Sequence, residues 1–367
     1  MKSQTHLGTS QGAALIYFTI FPLLFLSTPS EMTEASGSIS WLTPLLGALS
    51  GGVLLWIQQS LLTDSESNLL QLTEELLGKG ASYAFGLFYF FALFSTACLW
   101  TRQYAENTLL VALPAIEFNH IIVVYLISVL VMVYLGLEAL SRTCYLLVPL
   151  SLVGLAIVFA GLTPEMEPLY LLPLLGYGIP SLIDPLLFYT GATAPAAMVM
   201  VLAPSFQNKS AVGQVILFGI GGSAIIQSVA FAVYVAVFAV NVGSEKILPF
   251  FDMTRLVYIN RYIQRIESLF ILMWVIVGIV GIAVCLYGAL TIICQLFRLP
   301  AFTPLLLPLG IIMITVATLP MDANQTLLIN KMLFSKILAP GFVITTLALL
   351  LAAKLKKRRE QNRCGTP

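Results

Sequence analysis

Apolar runs long enough to cross a bilayer recur along nearly the whole chain, and they restrict its fold more than any motif does. Ten can be delimited, at residues 10–30, 39–61, 81–103, 119–138, 143–162, 184–204, 211–241, 266–297, 302–320 and 334–354, the third with room to extend to 113. About 20 helical residues, at roughly 1.5 Å each, cross a hydrocarbon core of about 30 Å. Of the 367 residues, 59% are hydrophobic and 10% charged; soluble domains carry about 25% charge. A soluble globule is excluded, and the expected class is an all-α polytopic membrane protein with ten transmembrane helices. The 18 basic and 17 acidic residues form no nucleic-acid-binding stripe. Lys2 alone precedes the first run and no small-residue cleavage site follows it, so that run reads as a retained helix.

Two of the runs are broken. The sixth, PLLFYTGATAPAAMVMVLAP, is interrupted by Thr190 to Pro195; Pro195 has no N–H and crowds the carbonyl four residues back, at Gly191, so the helical ladder is expected to open there. The first, SQGAALIYFTIFPLLFLSTP, carries Pro22 in its interior with Thr19 just before it. Open backbone at membrane depth is tolerated only inside protein or along a polar cavity. Short broken spans in corresponding places of two halves point to a small-molecule site at a repeat interface.

The halves share one organisation without residue-level identity. Each has a broken span, a long span, an amphipathic linker and three further spans. The linkers are 63–79, with Leu69, Leu72, Leu76 and Leu77 on one side, Asp64 or Ser65 to cap it and Gly78 to end it, and 243–262. Five crossings per unit make the second copy enter from the opposite side, so the repeats are inverted. The expected division is 1–162, a connection at 163–183 outside the cytoplasm, 184–354, and a tail from 355 to 367. Lys354, Lys356, Lys357, Arg358 and Arg359 directly follow the last span, which places both termini in the cytoplasm.

Charges at membrane depth cost roughly 2.5 to 3.5 kcal/mol each at mid-span. Arg102 and Glu106 stand four apart and can pair on one helix face, as an anchoring pair or as a gating or ion-coupling one. Arg265 and Glu267 flank Ile266 and point in different directions; Asp184 suits a helix start. No catalytic motif appears, the two histidines are at the terminus and a loop edge, and the five cysteines lack metal-ligand spacing. The chain reads as no enzyme, with no cofactor and no metal.

Several stretches, in order and spacing, resemble one family: Ser40-Trp41-Leu42, NLLQLTEELLGKG, Arg102-Gln103-Tyr104-Ala105-Glu106 followed by Leu113-Pro114, Gly136-Leu137-Glu138, Leu171-Leu172-Pro173, and Arg265-Ile266-Glu267-Ser268-Leu269-Phe270 with Trp274. The chain is similar to the B subunits of bacterial spore germinant receptors, GerAB-type proteins of the amino acid, polyamine and organocation transporter superfamily. The resemblance implies a LeuT-like fold with ligand held between the first, third, sixth and eighth helices. It also implies A-type and C-type (lipoprotein) partner subunits and a place in the spore inner membrane. Carried onto this sequence, the first break is Ile20, Phe21, Pro22, Leu23 and Leu24, the sixth Thr190, Gly191, Ala192 and Thr193, with Trp274 in the eighth helix. Relatives often have glycines where Pro22 and Leu24 stand and an acidic residue near Thr193, so a ligand other than an amino acid, or a less polar one, fits this chain too.

Half-helix ends suit a zwitterion, with free N–H groups for a carboxylate and free carbonyls for an ammonium. Thr19 and Thr193 are the expected hydroxyl contacts, Tyr189 and Trp274 the walls. Three functions fit: a germinant-receptor subunit sensing a small nutrient, a cation-coupled amino-acid permease, and a ligand-silent scaffold.

Overall fold

Proline and glycine decide where the apolar runs bend. The computed structural model describes residues 7–62, 68–206, 209–258 and 267–364, which are almost entirely helical. The first run forms α1 (Thr9–Tyr17), a short break, a 3₁₀ turn over Phe21–Phe25 and then α2 (Thr28–Ser36). Pro22 and Pro29 sit at the starts of their turns, where a missing N–H costs nothing. The first helical unit thus ends at 36, not 30. A 3₁₀ turn at Gly37–Leu42 leads into α3 (Thr43–Leu61).

The amphipathic linker forms α4 (Leu69–Leu77), capped by Asn68, whose side chain accepts from the Gln71 amide at 2.9 Å, and ended by Gly78 at φ +89°. Asp64 and Ser65, the expected caps, lie outside the described residues. Then come α5 (Lys79–Val111), α6 (Phe118–Tyr134) and α7 (Gly136–Leu162), three 3₁₀ turns between 163 and 182, α8 (Ile183–Ala192) and α9 (Met198–Val201). The second half holds α10 (Lys209–Gly243), α11 (Pro249–Leu256), α12 (Glu267–Leu296), α13 (Thr303–Ala317), α14 (Ala323–Met332) and α15 (Ala339–Cys364). Between the last two, Leu333–Leu338 is a π-helical turn; Pro340, lacking an N–H, stands just beyond it.

Helix α10 is broken at Ala239, with φ +54°. The carbonyl of Ala236 instead accepts the Glu167 amide at 2.8 Å, which fastens the connection after α7 to this break.

Seven helical stretches are long and apolar enough to cross a membrane, by length and composition, among the described residues. Thr9–Phe25, Phe118–Tyr134 and Thr303–Ala317 are apolar but shorter. All ten fall where the sequence places spans, though the length criterion admits only seven. Val124, Leu146, Leu217 and Ile311 are more than half exposed on the outside, as expected where lipid is the solvent.

At the centre, α5 lies along α12, and the first break packs on both α12 and α10. Helix α8 is held between α3 and the π turn before α15, while α6 packs on α5 and α12, and α13 on α5 and α6. The start of the first unit meets the end of the sixth: Leu7 and Phe206 form a parallel β-bridge, and the Leu7 amide donates to the Ser205 carbonyl at 2.9 Å.

Candidate functional site

Pro22 organises the first break. Its missing N–H leaves the Phe18 carbonyl without its helical donor, so α1 stops at Tyr17 and the chain resumes as a tighter turn. The Thr19 hydroxyl closes the gap locally, donating to the Ile16 carbonyl at 2.6 Å. The Pro22 carbonyl is taken by α5, through the Tyr104 hydroxyl at 2.8 Å. From the other side comes α12, where Gly281 lies so close that a Cβ there would meet Pro22 Cγ at 2.4 Å and the Phe18 carbonyl oxygen at 3.2 Å. Gly278, one turn earlier, is pressed likewise on the Tyr104 ring. Glycine on α12 thus lets α5 and the break approach it closely.

Aromatic side chains surround this junction. Tyr17 and Phe21 have ring centroids 4.4 Å apart, Phe21 and Phe25 5.3 Å, and Phe25 and Phe270 5.7 Å. Trp274 lies 5.9 Å from Tyr104. Ile20, Leu23 and Leu24 are buried among them. Among the buried polar groups with no hydrogen-bond partner in the protein are the Tyr17 hydroxyl, the Trp100 and Trp274 indole N–H groups and the Gln103 amide. Each such group costs about 1–3 kcal/mol if left unsatisfied. Beside Gln103 is a cavity of about 20 Å³ lined by Ser27, Gln103, Glu106, Asn107 and Thr326 among others, enough for one water molecule.

Arg102 and Glu106 pair as their spacing predicts, with Nε to Oε2 at 3.3 Å, and the guanidinium stacks 4.5 Å above the Phe118 ring. Both side chains are largely buried, so the charges neutralise each other close to the junction. Glu267 opens α12; Arg265 lies outside the described residues.

The sixth break takes a different form from the expected one. Around Pro195 the ladder tightens and does not open: Thr193 stays helical at φ −84°, ψ −13°, residues 194–197 form a 3₁₀ turn, and the Ala196 amide donates to the Thr193 carbonyl at 3.0 Å. Pro195 stands in the first turn of this 3₁₀ segment, where its missing N–H is not needed. The neighbours also differ. The Tyr189 hydroxyl donates to Gln227 of α10 at 3.2 Å, and Thr190 shares a 2.6 Å hydrogen bond with Ser50 of α3. Thr193 donates to the Thr190 carbonyl at 2.7 Å and rests against Gly51, as Tyr189 rests against Gly47. Gly191 abuts the Phe334 carbonyl in the π turn, and Ala192 is buried beside it. The expected contact set therefore divides: Thr19 to Leu23 and Trp274 come together with α5, while Tyr189 to Thr193 face α3, α10 and the π turn.

Sequence reading missed Trp100, Gln103 and Tyr104, although Gln103 and Tyr104 lie inside a motif it singled out. Their signal was a run of polar atoms inside an apolar span. Cys98, Cys144 and Cys285 are buried and unpaired, as small packing residues are. Among the described residues no cluster of His, Cys, Asp and Glu could hold a metal ion.

The sequence model of a family described as "Spore germination protein" matches residues 6–326. No curated protein matches the sequence. Among solved structures, the chain is similar to Mhp1, described as a nucleobase-cation-symport-1 family transporter in a closed conformation with bromovinylhydantoin bound. The TM-score is 0.63 at 15% identity, over 94% of this chain and 76% of that one. At that identity the likeness is one of fold, and the fold is LeuT-like.

Proposed function

Because this chain belongs to the spore germination protein family, we propose that it is the multi-pass membrane subunit of a germinant receptor. It binds a small nutrient molecule at the first break and passes the resulting shift to A-type and C-type partner subunits. The observation that carries this reading is that Trp100, which meets Gly281 beside Pro22, Trp274, which packs on Tyr104, and Gln103 of α5 each keep a buried polar group without a partner in the protein. Groups of this kind recognise a compact polar ligand by donating to it, and buried donors discriminate strongly against analogues that lack the acceptor. An amino acid is the first candidate. The reading assigns the chain no enzymatic step.

In this reading all ten apolar segments cross the membrane in two inverted five-helix repeats, 1–162 and 184–354, with both termini in the cytoplasm and the spore inner membrane as the location. A ligand shifts the balance between two arrangements only by binding one better. The pair Arg102–Glu106 and the residues Arg265 and Glu267 are candidates for the gate between those arrangements. Fold likeness to a transporter with a bound ligand favours a second reading, cation-coupled uptake by the chain alone.

The test is thermal unfolding of the purified chain against a panel of amino acids, nucleobases and sugars. A true ligand raises the melting temperature of the wild type and not of Trp274→Phe, a variant that removes only the indole N–H and some volume. Uptake of that ligand into liposomes holding this chain alone would replace the receptor reading with the transporter one. No shift with any compound would leave a scaffold that binds partners only.

A further inference from the structure

A second cleft, of about 800 Å³, lies where α2, the start of α8 and α14 meet. Its walls carry Glu31 and Glu34 from α2, Asp184 from α8, Asn324 and Lys331 from α14, and Ser335 from the π turn. The volume is that of a small-molecule site, which ranges over roughly 300–1,000 Å³. Three carboxyl side chains thus share the walls with one amine.

Helix mechanics accounts for part of that set. Glu31 and Asp184 stand in the first turns of their helices, where a carboxylate is favourable, and Glu31 also accepts from the Ser27 hydroxyl. Glu34 has neither role. It lies three residues from Glu31, on the same face of α2, where a second like charge is unfavourable. Among the described residues, Glu34, Asp184 and Lys331 enter no ion pair.

Ser335 supplies an independent observation. It is 8% exposed, lines the cleft, and its hydroxyl has no hydrogen-bond partner in the protein. Its backbone belongs to the π turn, a rare element that often marks a functional position. That turn rests on Gly191, where a Cβ would come within 2.0 Å of the Phe334 carbonyl oxygen.

We propose that this cleft is a binding site for a small organic ammonium ion, held by Glu34 and Asp184, with Ser335 accepting a hydrogen bond from it. Lys331, on the same wall, adds a partner for ligands that also carry a carboxylate. The site is distinct from the first break, whose polar groups belong to α5 and α12, and it stands whether or not ligand binds there.

Titration calorimetry on the full chain in detergent tests this, with L-alaninamide as the cation, L-alanine as the zwitterion and propionate as the anion. Alaninamide is expected to bind and propionate not. Glu34→Gln weakens alaninamide about fivefold, and Ser335→Ala lowers affinity while keeping or raising the melting temperature of the unliganded protein, because an unpaired buried hydroxyl is removed. A merely structural serine would leave affinity unchanged. No heat from alaninamide up to about 10 mM overturns the site. So does wild-type affinity in both variants, or binding lost only in Trp274→Phe, which would assign the amine to the first break.

Discussion

At the scale of single residues, one hydroxyl ties the first break to α5. Tyr104 donates to the Pro22 carbonyl at 2.8 Å, across from α5 into the 3₁₀ turn. Tyr104→Phe is expected to cost about 1 kcal/mol, the size of one such bond, read as a lower melting temperature with the packing of Trp274 otherwise kept. Trp274 was legible in the sequence because it follows a recognisable motif. Trp100 and Gln103 were not, because α5 is apolar around much of its circumference and periodicity there does not say which face turns inward. Nor did the sequence reveal that the Thr19 hydroxyl is spent within its own turn, since that depends on where α1 stops.

Close approach of helices, the next scale up, depends on glycine. Gly47 and Gly51 stand four apart on α3 and receive Tyr189 of α8 and Thr193 just after it; Gly191 of α8 receives the π turn. Small residues at this spacing let membrane helices pack backbone to backbone. Gly191→Ala puts a methyl on a carbonyl that cannot rotate away and is expected to cost about 1–3 kcal/mol, as overpacking does. Gly51→Ala meets side-chain atoms of Thr193, 1.8 Å away at Oγ1. Its loss of melting temperature should be partly restored by Thr193→Ala, whereas nothing in a side chain rescues Gly191→Ala. The order of the elements, both amphipathic linkers and the proline positions were readable from the chain. The form of the sixth break was not. Proline forbids one hydrogen bond, but whether the helix then opens or tightens is decided by the neighbours packed on it, here α3, α10 and the π turn.

For the whole molecule, the proposed topology makes Cys364 a reporter, because it follows the basic cluster after the last span. In a Cys294→Ser background the remaining cysteines within the bundle are buried. A membrane-impermeant maleimide should then label the protein in inverted vesicles and spare it in right-side-out ones; the reverse pattern would turn the molecule over. The bridge between Leu7 and Phe206 bears on how such a molecule moves. It staples the beginning of one discontinuous helix to the finish of the other, so neither tip can swing without dragging its counterpart. Any opening on that side is then a single stroke of two levers on one pin, and a displacement of Leu7 is handed directly to Phe206.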